Sequence, residues 1–235
     1  VFDSKIDLGG DNAGYYILGK ALSTGAGYTD IHLPEQTPAN HFPPGYPALL
    51  ALFMFVSDAF VFLKLMNGAL FLATVLLLYK LFERTVGNTT VAFLAAAFAL
   101  LNGHLLRSAT IMMSEVPFLF FSVLVLHALV RWEREEKPFW KSPVFWSLVL
   151  LSAVSYHIRT AGIALVGAVG LYLLFQKRWV PAVAYGAGFL ALCLPWYLRG
   201  KALGGNGYLQ QLVRVNPYRP EEGLLDASGW LDRIG

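Results

Sequence analysis

The sequence is short of charge. Only 14% of its 235 residues are Asp, Glu, Lys or Arg, whereas hydrophobic types make up 56% and the mean hydropathy is +0.53. A soluble domain carries about 25% charged residues, so this chain lacks the means to solvate a globular surface. It is also far too apolar to remain disordered. An ordinary cytosolic enzyme is excluded, and a bilayer replaces water as the main solvent. Cysteine is nearly absent: Cys193 stands alone in an apolar run, so no intrachain disulfide forms and packing is its expected role. The net charge of +3 is small and the basic residues are scattered, which excludes nucleic acid as a partner. No HExxH, paired CxxC, P-loop or nucleophile elbow occurs. Low-complexity segments and convincing internal repeats are also missing.

What is present is a series of apolar runs. Residues 1–43 are polar and turn-rich, with a short helix expected over Ala13–Leu22. Pro43-Pro44-Gly45-Tyr46-Pro47 blocks a helix until about Tyr46, and Ala48–Val56 reads as an interfacial helix too short to span. Candidate spans come next at Ala59–Phe82, Thr89–Leu106, Val116–Trp132 and Trp179–Leu198. The apolar region 142–176 is interrupted by His157-Ile158-Arg159. As one helix it would be about 52 Å long against a hydrocarbon core of about 30 Å, so it reads as two short spans joined by a tight turn at His157–Gly162. The expected fold is an all-α, polytopic transmembrane helical bundle of about six spans. It divides into a loop over 1–43, a membrane domain over 44–198 and the start of a further loop over 199–235. The polar ends at Val1 and Gly235 read as those of an internal piece of a longer membrane protein, with at least one span ahead of residue 1.

Lys and Arg collect on cytoplasmic loops. Lys80, Arg84, Arg131, Arg134, Lys137, Lys141, Lys177 and Arg178 fall on one set of loops, against Arg107, Arg159, Arg199 and Lys201 on the other. Residues 1–43, 103–115, 157–161 and 199–235 are therefore expected on the extracytoplasmic side. That places Asp11, His41, Arg107, Glu115, His157, Arg159 and Arg199 at one face, with Lys64 just inside its span near the same face.

Asp11 precedes a short helix, where an acid serves either as N-cap or as reactive base. Glu115 begins a span, where it either favours the helix N-terminus or joins Asp11 in acid/base work or metal binding. Lys64 and Arg159 either snorkel to the interface or contact a phosphate. Arg199 comes after Leu194-Pro195-Trp196-Tyr197-Leu198 and reads as the basic anchor of an aromatic belt. The double proline holds His41 rigidly over the membrane mouth. His127 lies far from the acids and reads as a packing residue. Asn88-Thr89-Thr90 matches a glycosylation sequon, but on the cytoplasmic side, where it is discounted.

Four motifs occur in order: Gly10-Asp11-Asn12-Ala13-Gly14-Tyr15-Tyr16; Gly25-Ala26-Gly27-Tyr28 with His41-Phe42-Pro43-Pro44-Gly45-Tyr46-Pro47; Ser114-Glu115-Val116-Pro117-Phe118; and Leu194-Pro195-Trp196-Tyr197-Leu198-Arg199. Together they resemble the C-type polytopic glycosyltransferases, relatives of bacterial protein O-mannosyltransferases and of the aminoarabinose transferases that modify lipid A. The resemblance implies sugar transfer from a polyprenyl-phosphate carrier with inversion at the anomeric carbon. It implies that Asp11 is the catalytic base and that Glu115 binds acceptor or supports the site. It further implies that Lys64 stabilises the departing lipid phosphate; Tyr15, His41, His157 and Arg159 are further candidate substrate-binding residues. The family often has Asp-Glu where Asp11-Asn12 stands here, and its proline motif is written differently. Both departures leave the acceptor (glycolipid, glycan or protein) and any divalent metal open.

The expected protein is thus a membrane glycosyltransferase of the inner (plasma) membrane, working on its extracytoplasmic face among membrane lipids. The Asp11 and Glu115 carboxylates should face a shared cavity, with Lys64 or Arg159 lining it. A transporter or lipid-linked sugar flippase is the rival. It would favour internal repeats and midplane binding groups, whereas here the polar groups gather at one face. A non-catalytic assembly subunit, a third reading, would need no pairing of Asp11 with Glu115. The topology is checked by replacing Cys193 with Ser and labelling single cysteines in intact cells. A cysteine at Thr29 should react with an impermeant maleimide and one at Glu135 should not; the reverse pattern inverts the orientation.

Overall fold

A computed structural model describes residues 2–5, 11–204, 215, 223 and 224, and among these the regular structure is nine α-helices and one 3₁₀ turn. Gly9, Gly10 and most of the expected 199–235 segment lie outside the described residues. Helix α1 (Asn12–Ser23) packs on α2 (Gly45–Met54), and the loop between them carries an isolated antiparallel bridge, Thr29 to Pro38. Then come α3 (Phe60–Val86), α4 (Thr89–Leu100), α5 (Gly103–Ala109) and α6 (Glu115–Glu133). The 3₁₀ turn Phe139–Lys141 leads into α7 (Pro143–Ile158), α8 (Gly162–Phe175) and α9 (Trp179–Ala202). The chain is an all-helical membrane bundle.

The six expected crossings differ in kind. Helices α3, α6 and α9, of 27, 19 and 24 residues, are each long and apolar enough to cross a membrane. The α4–α5 pair passes the same test only jointly, bent by 61°. Helices α7 and α8 have 16 and 14 residues, or about 24 and 21 Å, short of the hydrocarbon thickness of about 30 Å. The tight turn expected at His157–Gly162 is present, with the Gly162 amide bonded to the Arg159 carbonyl at 2.8 Å.

Local chemistry explains the helix ends. Asn88, Asn102 and Ser142 each accept a backbone N–H of the first turn beyond them (Val91, Leu105 and Phe145), so Asn88 of the sequon is a helix cap. Gly87 closes α3 in the left-handed region (φ 70°), where a side chain would be strained. Helix α2 starts at Gly45, earlier than the proline run suggests. Pro47 then sits in the first turn, where its missing N–H would have had no partner.

The two largest of four apolar clusters among the described residues divide the bundle. One joins α6, α7, α8 and α9 around Trp132, Phe145, Leu148, Leu173, Tyr185 and Phe189. The other joins α1, α2 and α3 with the α5–α6 linker around Tyr15, Tyr46, Leu50, Leu63, Met66, Met112 and Ile158. The proline turn is seated on the second core by Gly45. A Cβ there would lie 2.6 Å from the His157 carbonyl carbon and the Ile158 nitrogen, backbone atoms that cannot swing aside. Gly45→Ala is expected to cost about 1–3 kcal/mol through overpacking. Gly167→Ala, with nothing within 4 Å of the added carbon, should be neutral or stabilising by up to about 1 kcal/mol. Thermal unfolding of the two variants in detergent micelles checks the contrast.

Candidate functional site at one end of the bundle

The α1–α2 loops, the α5–α6 linker, the α7–α8 turn and the end of α9 all meet at one end of the bundle. A fully buried amide in α3 fixes the first of these contacts. Asn67 Nδ2 donates to the carbonyls of Ile111 (2.6 Å) and Met113 (3.1 Å), and the buried Tyr46 hydroxyl donates to Asn67 Oδ1 (3.4 Å). Helix α2 and the linker leading into α6 are thereby held against α3. Tyr46 in turn meets Tyr15 of α1 edge-on, with ring centroids 5.0 Å apart.

A polar cluster rests on that support. Arg159 Nη1 donates to Glu115 Oε1 at 2.6 Å and to Ser114 Oγ at 3.4 Å, and Ser114 Oγ lies 3.4 Å from the Tyr15 hydroxyl. Ser114 occupies the N-cap position of α6 but makes no capping bond; its hydroxyl serves the cluster instead. Glu115 Oε2 is buried without a hydrogen-bond partner. Burial pushes the Tyr15 phenol up to about 12. The Ser114 contact and the Arg159 charge oppose that shift, while the charges of Asp11 and Glu115 add to it. Asp11, Glu115 and Arg159 therefore all bear on one hydroxyl.

Asp11 holds the N-cap position of α1, and its side chain makes no capping hydrogen bond. Asp11 is exposed, and neither it nor Glu115, Lys64 or Arg159 lines either of the two large cavities, so the shared cavity expected between the two acids is not found there. Neighbouring Asn12 is buried, and both polar atoms of its amide lack partners. Lys64 bonds a different segment from Arg159 and Glu115. It is 1% exposed, so it does not snorkel to water; its Nζ bonds the Asp3 carboxylate (2.8 Å) and the Lys5 carbonyl (2.7 Å). That pairing holds the Asp3 carboxyl below the ordinary aspartate range.

Beside the cluster lies an apolar groove of about 500 Å³. Its walls include Phe42 and Pro43 from the proline turn, His157 and Thr160 from the α7–α8 turn, and Phe189, Cys193 and Trp196 from α9. His157 Nδ1 is buried there without a partner. Phe42 links groove and cluster, since its ring packs on Tyr15, tilted, with centroids 4.7 Å apart. His41 is half-exposed on the loop, 3.9 Å from the Asp30 carboxylate and against the Phe42 ring. Among the described residues no group of three or more metal-ligating side chains gathers.

Arg199 does more than anchor an aromatic belt. Its guanidinium donates to the carbonyls of Ala39 (2.8 Å) and Tyr28 (3.1 Å) and lies over the rings of Trp196 and Tyr28. Burial pushes the Tyr28 phenol up, and its hydroxyl donates to the carbonyls of Phe42 and Pro43. The loop is thus strapped to the end of α9. Sequence reasoning does not reveal Asn67, Ser114 and Arg199 as builders of the site. Asn67 alone carries a local signal, as an amide within an apolar helix and one turn from Lys64.

A family model described as dolichyl-phosphate-mannose-protein mannosyltransferase matches residues 48–202, well over half of the chain. No curated protein and no solved structure matches.

Arg199→Gln removes charged hydrogen bonds of about 1.5–3 kcal/mol. The Ala39 amide, bonded to the Tyr28 carbonyl, should then exchange hydrogen at least about tenfold faster. Hydrogen-exchange mass spectrometry in micelles reads this, and an unchanged rate removes Arg199 as the strap.

Proposed function

The chain belongs to the dolichyl-phosphate-mannose-protein mannosyltransferase family, and from that premise we propose a specific reaction and place for it. Membership makes it an integral membrane glycosyltransferase with a lipid-linked sugar donor. The proposed donor is a polyprenyl-phosphate sugar, and the proposed site is the extracytoplasmic face of the inner (plasma) membrane. The acceptor is a hydroxyl on a protein, glycan or glycolipid of the cell envelope, and transfer inverts the anomeric carbon.

One observation carries this reading: an apolar groove and a charged cluster sit side by side at the same end of the bundle, joined through Phe42. A polyprenyl chain needs the first and its phosphate-sugar head needs the second. Asp11 takes the proton from the acceptor hydroxyl as that oxygen bonds the anomeric carbon. The bond from that carbon to the phosphate oxygen breaks, and the carrier phosphate leaves with the electron pair. Arg159 stands beside the groove as the cation for that phosphate, a geometry that guanidinium suits. Glu115 holds Arg159 in place. Tyr15 and His157 border the head-group position, and His41 stands on the strapped loop above it. Lys64 acts one step back by holding residues 3 and 5, upstream of Asp11, through its bonds to Asp3 and Lys5.

Asp11 is exposed and outside the groove, so on this reading the acceptor reaches it from water while the donor comes from the bilayer. In a radiolabelled transfer assay with the full-length protein, Asp11→Asn should lower turnover by about 10²–10⁴-fold, the usual worth of a general base. Its thermal unfolding should be unchanged, since the side chain caps nothing. Wild-type transfer by Asp11→Asn would remove Asp11 from the mechanism.

A further inference from the structure

A second apolar groove, of about 780 Å³, lies in the angle of the bent α4–α5 pair against α3. Gly68 and Ala69 keep the α3 wall low, and Phe2, Leu72 and Leu100 complete the apolar lining. Arg107, in the last turn of α5, is the one charged residue of that lining. It is exposed, and its guanidinium makes no hydrogen bond or ion pair among the described residues. Two acids of this end are paired elsewhere: Asp3 bonds Lys64 and Glu115 bonds Arg159. From Ala59 to Ser114 the only acid is Glu83, near the far end of α3. A lone cation at the rim of an apolar groove calls for an anion with an apolar tail.

We infer that this groove binds an anionic phospholipid of the surrounding bilayer, with one acyl chain against α3 and its phosphate on Arg107. Several observations converge. Leu72 and Leu106 are exposed, so the groove opens where bilayer chains are the available solvent. Arg107 stands at the same end of the bundle as Lys64 and Glu115. Guanidinium matches phosphate oxygens in paired hydrogen bonds. This groove shares no lining residue with the one beside α7 and α9, and it needs no transferase chemistry to be occupied.

Native mass spectrometry of the purified full-length protein, titrated with phosphatidylglycerol or phosphatidylcholine, tests this. Phosphatidylglycerol should bind about fivefold more tightly, the worth of one basic residue against an anionic lipid. Arg107→Gln should abolish that preference, whereas Arg84→Gln, at the other end of α3, should keep it. Ala69→Trp fills the groove and should reduce retention of phosphatidylglycerol even with Arg107 present. The inference is overturned by an equal affinity for the two lipids. It is also overturned if Arg107→Gln keeps the preference, if Arg84→Gln removes it equally, or if Ala69→Trp leaves retention unchanged. None of these readouts depends on sugar transfer, so the result stands apart from the fate of the transferase reading.

Discussion

The site end of the molecule depends on Asn67. An amide inside an apolar helix has no water to fall back on, and leaving it unbonded in such surroundings costs several kcal/mol. Its partners must therefore come from the protein, and they come from two separate segments: the Tyr46 hydroxyl in α2 and the carbonyls of Ile111 and Met113. The bonds that satisfy Asn67 also position the side chains of the cluster. Ser114 and Glu115 come directly after Met113, and Tyr15 packs on the ring of Tyr46. The charged cluster thus inherits its geometry from a residue that touches none of its charges.

A bilayer makes such arrangements strict. Loop carbonyls and side-chain amides near the membrane surface are either paired or costly, so loops at this end are tied down by polar bonds as well as by burial. Arg199 holds the carbonyls of Tyr28 and Ala39, and Tyr28 holds those of Phe42 and Pro43. Gly45 lets the proline turn lie directly on the His157–Ile158 backbone. These contacts define one wall of the α7–α9 groove. The short helices α7 and α8 fit the same pattern. By stopping early, they bring the turn bearing His157 and Arg159 to the level of the groove and the cluster.

The helical architecture was legible because its signals are local. Apolar runs, caps and the charged break at residues 157–159 mark α3, α6, α7, α8 and α9 within a residue or a turn. Two features were less local. Helix α2 begins at Gly45 because proline is tolerated anywhere in a first turn, which the motif alone does not reveal. Lengths were legible, but the 61° bend between α4 and α5 depends on how both pack on α3. Of the charged residues expected at one face, Arg159 pairs with Glu115. Lys64 went to Asp3 instead, a residue with no motif around it. Arg199 bonds a loop 160 residues earlier in the chain, and no periodicity announces such a contact.

The two acids of the resemblance are not equivalent once their surroundings are compared. Glu115 has one oxygen in an ion pair with Arg159 and the other buried, so it is built into the scaffold of the cluster. Asp11 occupies a helix-capping position without spending its carboxylate on the helix end, and it faces water. A base that meets an acceptor from the aqueous side must be reachable from that side, and a group that orients a guanidinium must not be. Burial therefore separates the two acids, and on the proposed mechanism the exposed Asp11 is the one to meet substrate while Glu115 positions a cation. The same sorting separates the basic residues. Arg159 is half-exposed beside the groove, Lys64 is buried and bonds Asp3, Arg199 holds a loop, and Arg107 lines a different groove without an ion pair among the described residues.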